Sequence, residues 1–249
     1  MRPSLVLAAL ALSAAPLAAQ PLAAQPLAAP APTAAPRVGL LAGLNSATLT
    51  GEAFSDDGGA IDRRNGFVGG VSLTLPLRGA GLAFRPELLY AQKGASASVA
   101  LVEDGSAFDL RGTVALSYLE LPLLVQYTVP TAGGLRPHLY AGPALALRTA
   151  CRVRLRASFD GMSASESAAC DDGGGAGGAL DAEPADVRRF DAGGVVGGAL
   201  AFAVGGRVLA VGARYTHGFV RLSDIADAPR NRAVAVYGSV ELPVARRGR

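Results

Sequence analysis

Tryptophan is absent from this chain of 249 residues, cysteine, methionine and histidine occur twice each, and aromatic residues make up only 6%. Those shortages exclude several chemistries. His138 and His217 are distant from each other and from any third soft ligand, so no metal centre is expected. Charged residues are also scarce, at 17% with a net charge of +3. The basic ones are scattered except at Arg246-Arg247-Gly248-Arg249, which leaves no footprint for nucleic acid. Long apolar runs are missing as well. Beyond the N-terminal segment nothing approaches the roughly 18 consecutive apolar residues of a membrane helix, so any membrane crossing falls to a closed barrel.

What the chain does have is glycine, 32 residues of it, and hydrophobic residues at half of all positions. That mixture suits short alternating strands and tight turns better than packed helices. Residues 1–19 read as a secretory signal: Arg2 gives the positive start, Leu5 to Leu12 the apolar stretch, and Ala14 to Ala19 the small residues around a cleavage point. Residues 20–36 form a linker rich in proline and alanine. It continues the repeat PLAAQ PLAAQ PLAAP that begins at Pro16, and its prolines block helix and sheet alike. Residues 37–244 then carry the folded domain, and 245–249 a basic tail.

The most informative stretch is YLELPLLVQY, Tyr118 to Tyr127. Leu119, Leu121, Leu123, Val125 and Tyr127 share one face of an extended chain, and Tyr118, Glu120, Pro122, Leu124 and Gln126 the other. LAFRPELLYAQKG repeats the pattern, with Leu82, Phe84, Pro86, Leu88 and Tyr90 opposing Arg85, Glu87, Leu89 and Lys93. In a soluble sandwich the apolar face would point to the core. In a transmembrane barrel it points outward to lipid.

Eight strands are expected: Arg37 to Thr48, Gly66 to Leu77, Gly81 to Lys93, Thr113 to Val129, Leu135 to Thr149, Val187 to Val204, Arg207 to Gly218 and Arg232 to Val244. Their joins alternate. Arg78-Gly79-Ala80, Pro130 to Gly134 and Gly205-Gly206 are short; Leu49 to Asn65, Gly94 to Gly112, Ala150 to Asp186 and Phe219 to Asn231 are long. An up-and-down barrel with short periplasmic turns and longer external loops gives this alternation, and a Greek-key sandwich has no reason to. The inward set is Asn45, Arg85, Glu87, Lys93, Glu120, Gln126, Arg136, His138, Tyr140, Arg148, Arg189, Asp191, Arg214, Thr216, Tyr237 and Glu241. The outward faces carry no charge in the central part of any strand. Eight strands enclose only enough room for side chains, so a charge network of Arg85, Glu87, Glu120, His138, Arg189, Asp191, Arg214 and Glu241 is expected to plug the lumen, its ions paired because an unpaired buried charge is prohibitive.

RVGLLAGLNSATLTG, NGFVGGVSLTLPL, LAFRPELLYAQKGA, YLELPLLVQY, LRPHLYAGPALAL, RFDAGGVVGGALAF, LAVGARYTHGFVRLSD and NRAVAVYGSVEL resemble, in order, the outer-membrane β-barrel domain family often labelled porin-family proteins. RPELLY followed by QKG, and YLE-P-LL, are the specific parts, and the resemblance spans about Arg37 to Val244. It implies an outer-membrane barrel of a diderm bacterium, without enzyme activity or cofactor. It also implies outer-membrane lipid and the barrel-insertion machinery as partners. One departure is the end of the chain: such barrels commonly close on an aromatic residue that helps assembly, whereas this one runs ELPVARRGR.

The remaining constellations are small. Cys151 and Cys170 lie in the longest join of an exported chain and are expected to form a disulfide. Asp171-Asp172-Gly173-Gly174-Gly175 and Asp56-Asp57-Gly58-Gly59 are acidic turns without the ligand alternation of a calcium loop, and read as solvated loop. His138 with Asp191 or Glu120 suggests a base and its orienter, but Ser117 faces lipid and Ser72 and Ser239 sit in plain strands. Ser163, Ser165, Glu166 and Asp224 are rim candidates in loops without a partner histidine. The expectation is an integral outer-membrane protein, an all-β eight-stranded antiparallel barrel serving as a structural or surface-interaction platform, with an extracellular ligand at its loops left unspecified. A narrow channel for small solutes and a soluble periplasmic lipocalin-like ligand binder are the alternatives.

Overall fold

The computed structural model describes residues 35–50, 60–78, 81–103, 106–159, 162–170, 188–222 and 229–244. The signal segment, nearly all of the linker, both acidic turns, Asp224 and the basic tail lie outside these residues. Among the described residues nine strands are formed: β1 (Arg37–Thr50), β2 (Ala60–Pro76), β3 (Leu82–Glu103), β4 (Ser106–Thr128), β5 (Leu135–Phe159), β6 (Met162–Ala169), β7 (Phe190–Val204), β8 (Arg207–Gly218) and β9 (Arg230–Pro243). All pairings are antiparallel, and β1 meets both β2 and β9, while β4 meets β5. The sheet therefore closes on itself through β1-β2-β3-β4-β5-β7-β8-β9.

Nine strands rather than eight is a correction with a simple geometry. β6 pairs with β5 alone, from Arg152↔Ala169 to Phe159↔Met162. β7 pairs with the lower part of the same strand, ending at Leu147↔Phe190. β6 thus takes over the neighbour position of β7 higher up, outside the closed ring. Ser163, Ser165 and Glu166 sit on this strand and not in a loop.

Strands β2 to β5 are also much longer than the sequence pattern suggests, whereas β8 has the expected bounds. β5 has 25 residues and β4 has 23, against 12 in β8 and 14 in β9. Of Gly94 to Gly112, expected as a loop, residues 94–103 and 106–112 are strand, with Gly94 paired to Ala115 and Glu103 to Ser106. The upper parts of β2, β3, β4 and β5, with β6, build a five-stranded sheet that stands above the rest of the wall. The missed stretches are poor in apolar contrast, because a strand bathed in water on its outer face has no lipid to enforce alternation.

Within the ring the alternation is strict. Leu119, Leu121, Val125 and Tyr127 are exposed on the outer surface, and Tyr118, Glu120, Pro122, Leu124 and Gln126 are buried inside. Leu40, Leu44, Leu139, Leu145, Val196, Leu200, Val211 and Val236 all face outward, Leu44 at 74% exposure. An apolar exterior around a polar interior is the reverse of a lipocalin, so the soluble alternative is set aside. Gly205 and Gly206, with φ of 55° and 79°, close the β7–β8 turn in the left-handed region where two-residue hairpins need glycine.

Candidate functional site

The lumen is the place where chemistry could reside, and its residues come from all around the ring. Because inward positions recur every second residue, each strand of the ring contributes one to three polar side chains to a common interior. Four cations, Arg85, Lys93, Arg148 and Arg214, and four carboxylates, Glu87, Glu120, Asp191 and Glu241, are buried there among the described residues. Their signs balance, which is the condition for holding so many ions in a low-dielectric space.

The lower cluster is centred on Glu87. Arg214 donates from Nη1 to Glu87 Oε2 at 2.6 Å, and Arg85 donates from Nε to Glu87 Oε1 at 2.9 Å. Arg85 Nη1 reaches on to Glu241 Oε1 at 2.9 Å and to Gln126 Oε1 at 3.0 Å. The Arg214 guanidinium lies over the Tyr237 ring at 4.6 Å and near the Tyr140 ring at 5.7 Å. The two tyrosine hydroxyls meet at 2.7 Å. The rings fit because the neighbouring strands carry glycine opposite them: a Cβ on Gly197 would meet the Tyr140 hydroxyl, and one on Gly212 the Tyr237 ring.

A second cluster lies higher. Lys93 Nζ pairs with Glu120 Oε1 at 2.5 Å and stands 5.4 Å from the centre of the Tyr118 ring. Asn231 donates to Asp191 Oδ2 at 2.9 Å and to the Tyr118 hydroxyl at 3.1 Å. Between Lys93, Glu120, Asp191 and Thr216 there remains a cavity of about 10 Å³, the space of a single water.

The residues expected to form one network are thus divided. Arg85, Glu87, Arg214 and Glu241 come together; Glu120 belongs with Lys93 and Asp191 with Asn231. His138 is buried lower down and its Nδ1 has no hydrogen-bond partner. Arg189 and Arg136 are exposed at opposite rims. A base-and-orienter pair from His138 is ruled out by register: Glu120 and Asp191 both pair with Ala146, eight residues further along β5. Eight residues of strand span about 26 Å. Asn231 is the residue that sequence reading missed, lying just ahead of the expected start of its strand, and only the length of that strand could have brought it in.

Cys151 and Cys170 are joined by a disulfide, with Cα atoms 5.4 Å apart. It ties the base of the β5–β6 hairpin, where Cys170 N also donates to the Cys151 carbonyl at 3.2 Å. Cys151 is on the inner face and packs with Leu116 and Tyr118.

Among known proteins, the family model described as outer membrane protein beta-barrel domain matches residues 23–224. No curated protein sequence matches the chain. Among solved structures, Neisserial surface protein A is similar at 14% identity and a TM-score of 0.38, covering 83% of this chain and 97% of that one. The outer membrane protein OprG of Pseudomonas aeruginosa is similar at 11% identity and 0.38, covering 85% and 98%. Ail, the attachment invasion locus protein of Yersinia pestis, is similar at 10% identity and 0.30, covering 83% and 98%. At this distance none of them carries a role over to this chain.

Proposed function

Because this chain belongs to the outer-membrane protein β-barrel domain family, we propose that it is a closed, non-catalytic barrel that anchors and presents an external sheet, with its lumen as a structural plug. The observation that carries this reading is the filling of the interior. Eight buried ions of balanced sign and the hydrogen-bonded Tyr140 and Tyr237 occupy the lumen. The cavity between the upper ion pair and Asp191 is about 10 Å³, too small for a hydrated solute. With short turns on the periplasmic side, the tall part of the wall stands outside the cell.

The test is conductance. Refolded protein, first shown to be folded by heat-modifiable migration in detergent gels, is placed in a planar bilayer. A closed barrel gives no steady current. A narrow channel gives steady current that bulk at Gly193 or Gly197 abolishes, and that result would replace the plug with a pore.

A further inference from the structure

We infer that the outer face of the projecting sheet binds the phosphate groups of outer-leaflet lipid through Arg111, Arg152, Arg154 and Arg156. Alternation along β5 points Arg152, Arg154 and Arg156 the same way, and all three are exposed. Cys151 is turned inward against Leu116, so these arginines point outward. On β4, Arg111 is eight residues from the outward Leu119 and shares its face, directly opposite Arg156. Two like charges set opposite each other are unfavourable unless an anion sits between them or beside them.

The rest of this face offers little compensation. Its other members include Ser98, Thr113, Ser165 and Ser167, with Asp62 and Asp109 as its carboxylates. Asp62 reaches Arg111 at 4.0 Å. None of Arg152, Arg154 and Arg156 is within ion-pair distance of a described carboxylate. Four guanidinium groups thus stand among hydroxyls, each a fork that matches phosphate oxygens.

Height selects lipid as the source of the phosphate. Leu119, facing lipid, pairs with Tyr90 on one side and Leu147 on the other, all three exposed on the outer face. Arg152 pairs with Ala115, four residues above Leu119 on β4. Four residues are about 13 Å along a strand, or about 10 Å of height at a tilt near 40°. With Leu119 a few ångströms inside the hydrocarbon, that brings Arg152 to the polar layer, which is about 5–7 Å thick on each side. Arg154 stands about 5 Å higher and Arg156, level with Arg111, about 10 Å higher, so Arg152 and Arg154 meet the headgroup phosphates and the upper pair extends the same cationic surface above them.

This inference rests on the proposed orientation, with the tall wall outside. The test titrates the refolded protein in detergent micelles with phosphorylated lipid A, with its dephosphorylated form and with inorganic phosphate. The unaltered protein is expected to prefer the phosphorylated lipid, with binding that weakens in high salt. Replacing Arg152, Arg154 and Arg156 together by serine is expected to weaken binding on the order of a hundredfold, with heat-modifiable migration retained. Equal binding of the two lipids by the unaltered protein, which needs no variant, would overturn the inference. So would a folded triple variant that binds as well as the original, or inorganic phosphate that competes at the concentration of the lipid. A protein that shows no heat-modifiable migration at all would instead overturn the barrel reading beneath it.

Discussion

Glu87 and Arg214 stand 127 residues apart in the chain, yet their side chains meet at 2.6 Å across the lumen. Glu87 is also the partner of Arg85 Nε, so a single carboxylate serves two guanidinium groups. Glu87→Ala is expected to destabilise the folded barrel by about 3–5 kcal/mol, the cost of leaving buried charge unpaired. Urea unfolding in lipid vesicles measures it. Combining Glu87→Ala with Arg214→Met removes one of the stranded charges, and is expected to recover part of the loss.

Gly212 is expected to tolerate no side chain. A Cβ there would stand 2.7 Å from Tyr237 ring atoms, so Gly212→Val should push the ring away from Arg214. Overpacking of this kind costs about 1–3 kcal/mol. The same urea titration reads it, and Tyr237→Phe, which keeps the ring but removes the hydroxyl bonded to Tyr140, separates packing from hydrogen bonding.

On the outer surface the direction reverses. Val196 is central on the lipid face of β7, and Val196→Arg is expected to cost about 2–4 kcal/mol as a charge facing hydrocarbon. Refolding yield and the urea midpoint in vesicles should both fall. The same residue type added on the projecting sheet, as Ser163→Arg opposite Ser158, should leave both unchanged.

The disulfide is expected to act locally. Cys151 and Cys170 enclose a hairpin with a sequence separation of 19, for which chain entropy gives about 3 kcal/mol. Cys170→Ser should make the β5–β6 hairpin more readily cut by added protease, while the heat-modifiable shift of the barrel stays the same. Loss of that shift would mean that the hairpin also supports the ring.

How much of this could be read from the residues depends on which solvent each face meets. Tyr118 to Tyr127 was legible because lipid on one side and packed ions on the other force a sharp alternation. Met162 to Ala169, reading MSASESAA, was not, since water wets it and its pairing with β5 rests on backbone hydrogen bonds. The inward positions of Tyr140 and Tyr237 followed from period two. Their fit against Gly197 and Gly212 did not, because it depends on the register between neighbouring strands, which sets Tyr140 opposite Gly197 and Tyr237 opposite Gly212. The expected network failed in one respect for the same reason. His138 and Asp191 both point inward, but inward says nothing about height, and register puts them far apart.

The seam between β1 and β9 has a consequence for the order of assembly. Arg37 pairs with Pro243 and Thr50 with Arg230, so strands from opposite ends of the domain complete the ring. Every other wall contact joins neighbours along the chain or spans one hairpin, and can form early; this one must wait for the whole intervening length to be in place. Until it forms, β1 and β9 each present a row of unpaired amides and carbonyls, an edge open to any passing strand. The last event of folding therefore removes the open edges of the ring itself, while β6, paired with β5 alone among the described strands, keeps its outer edge.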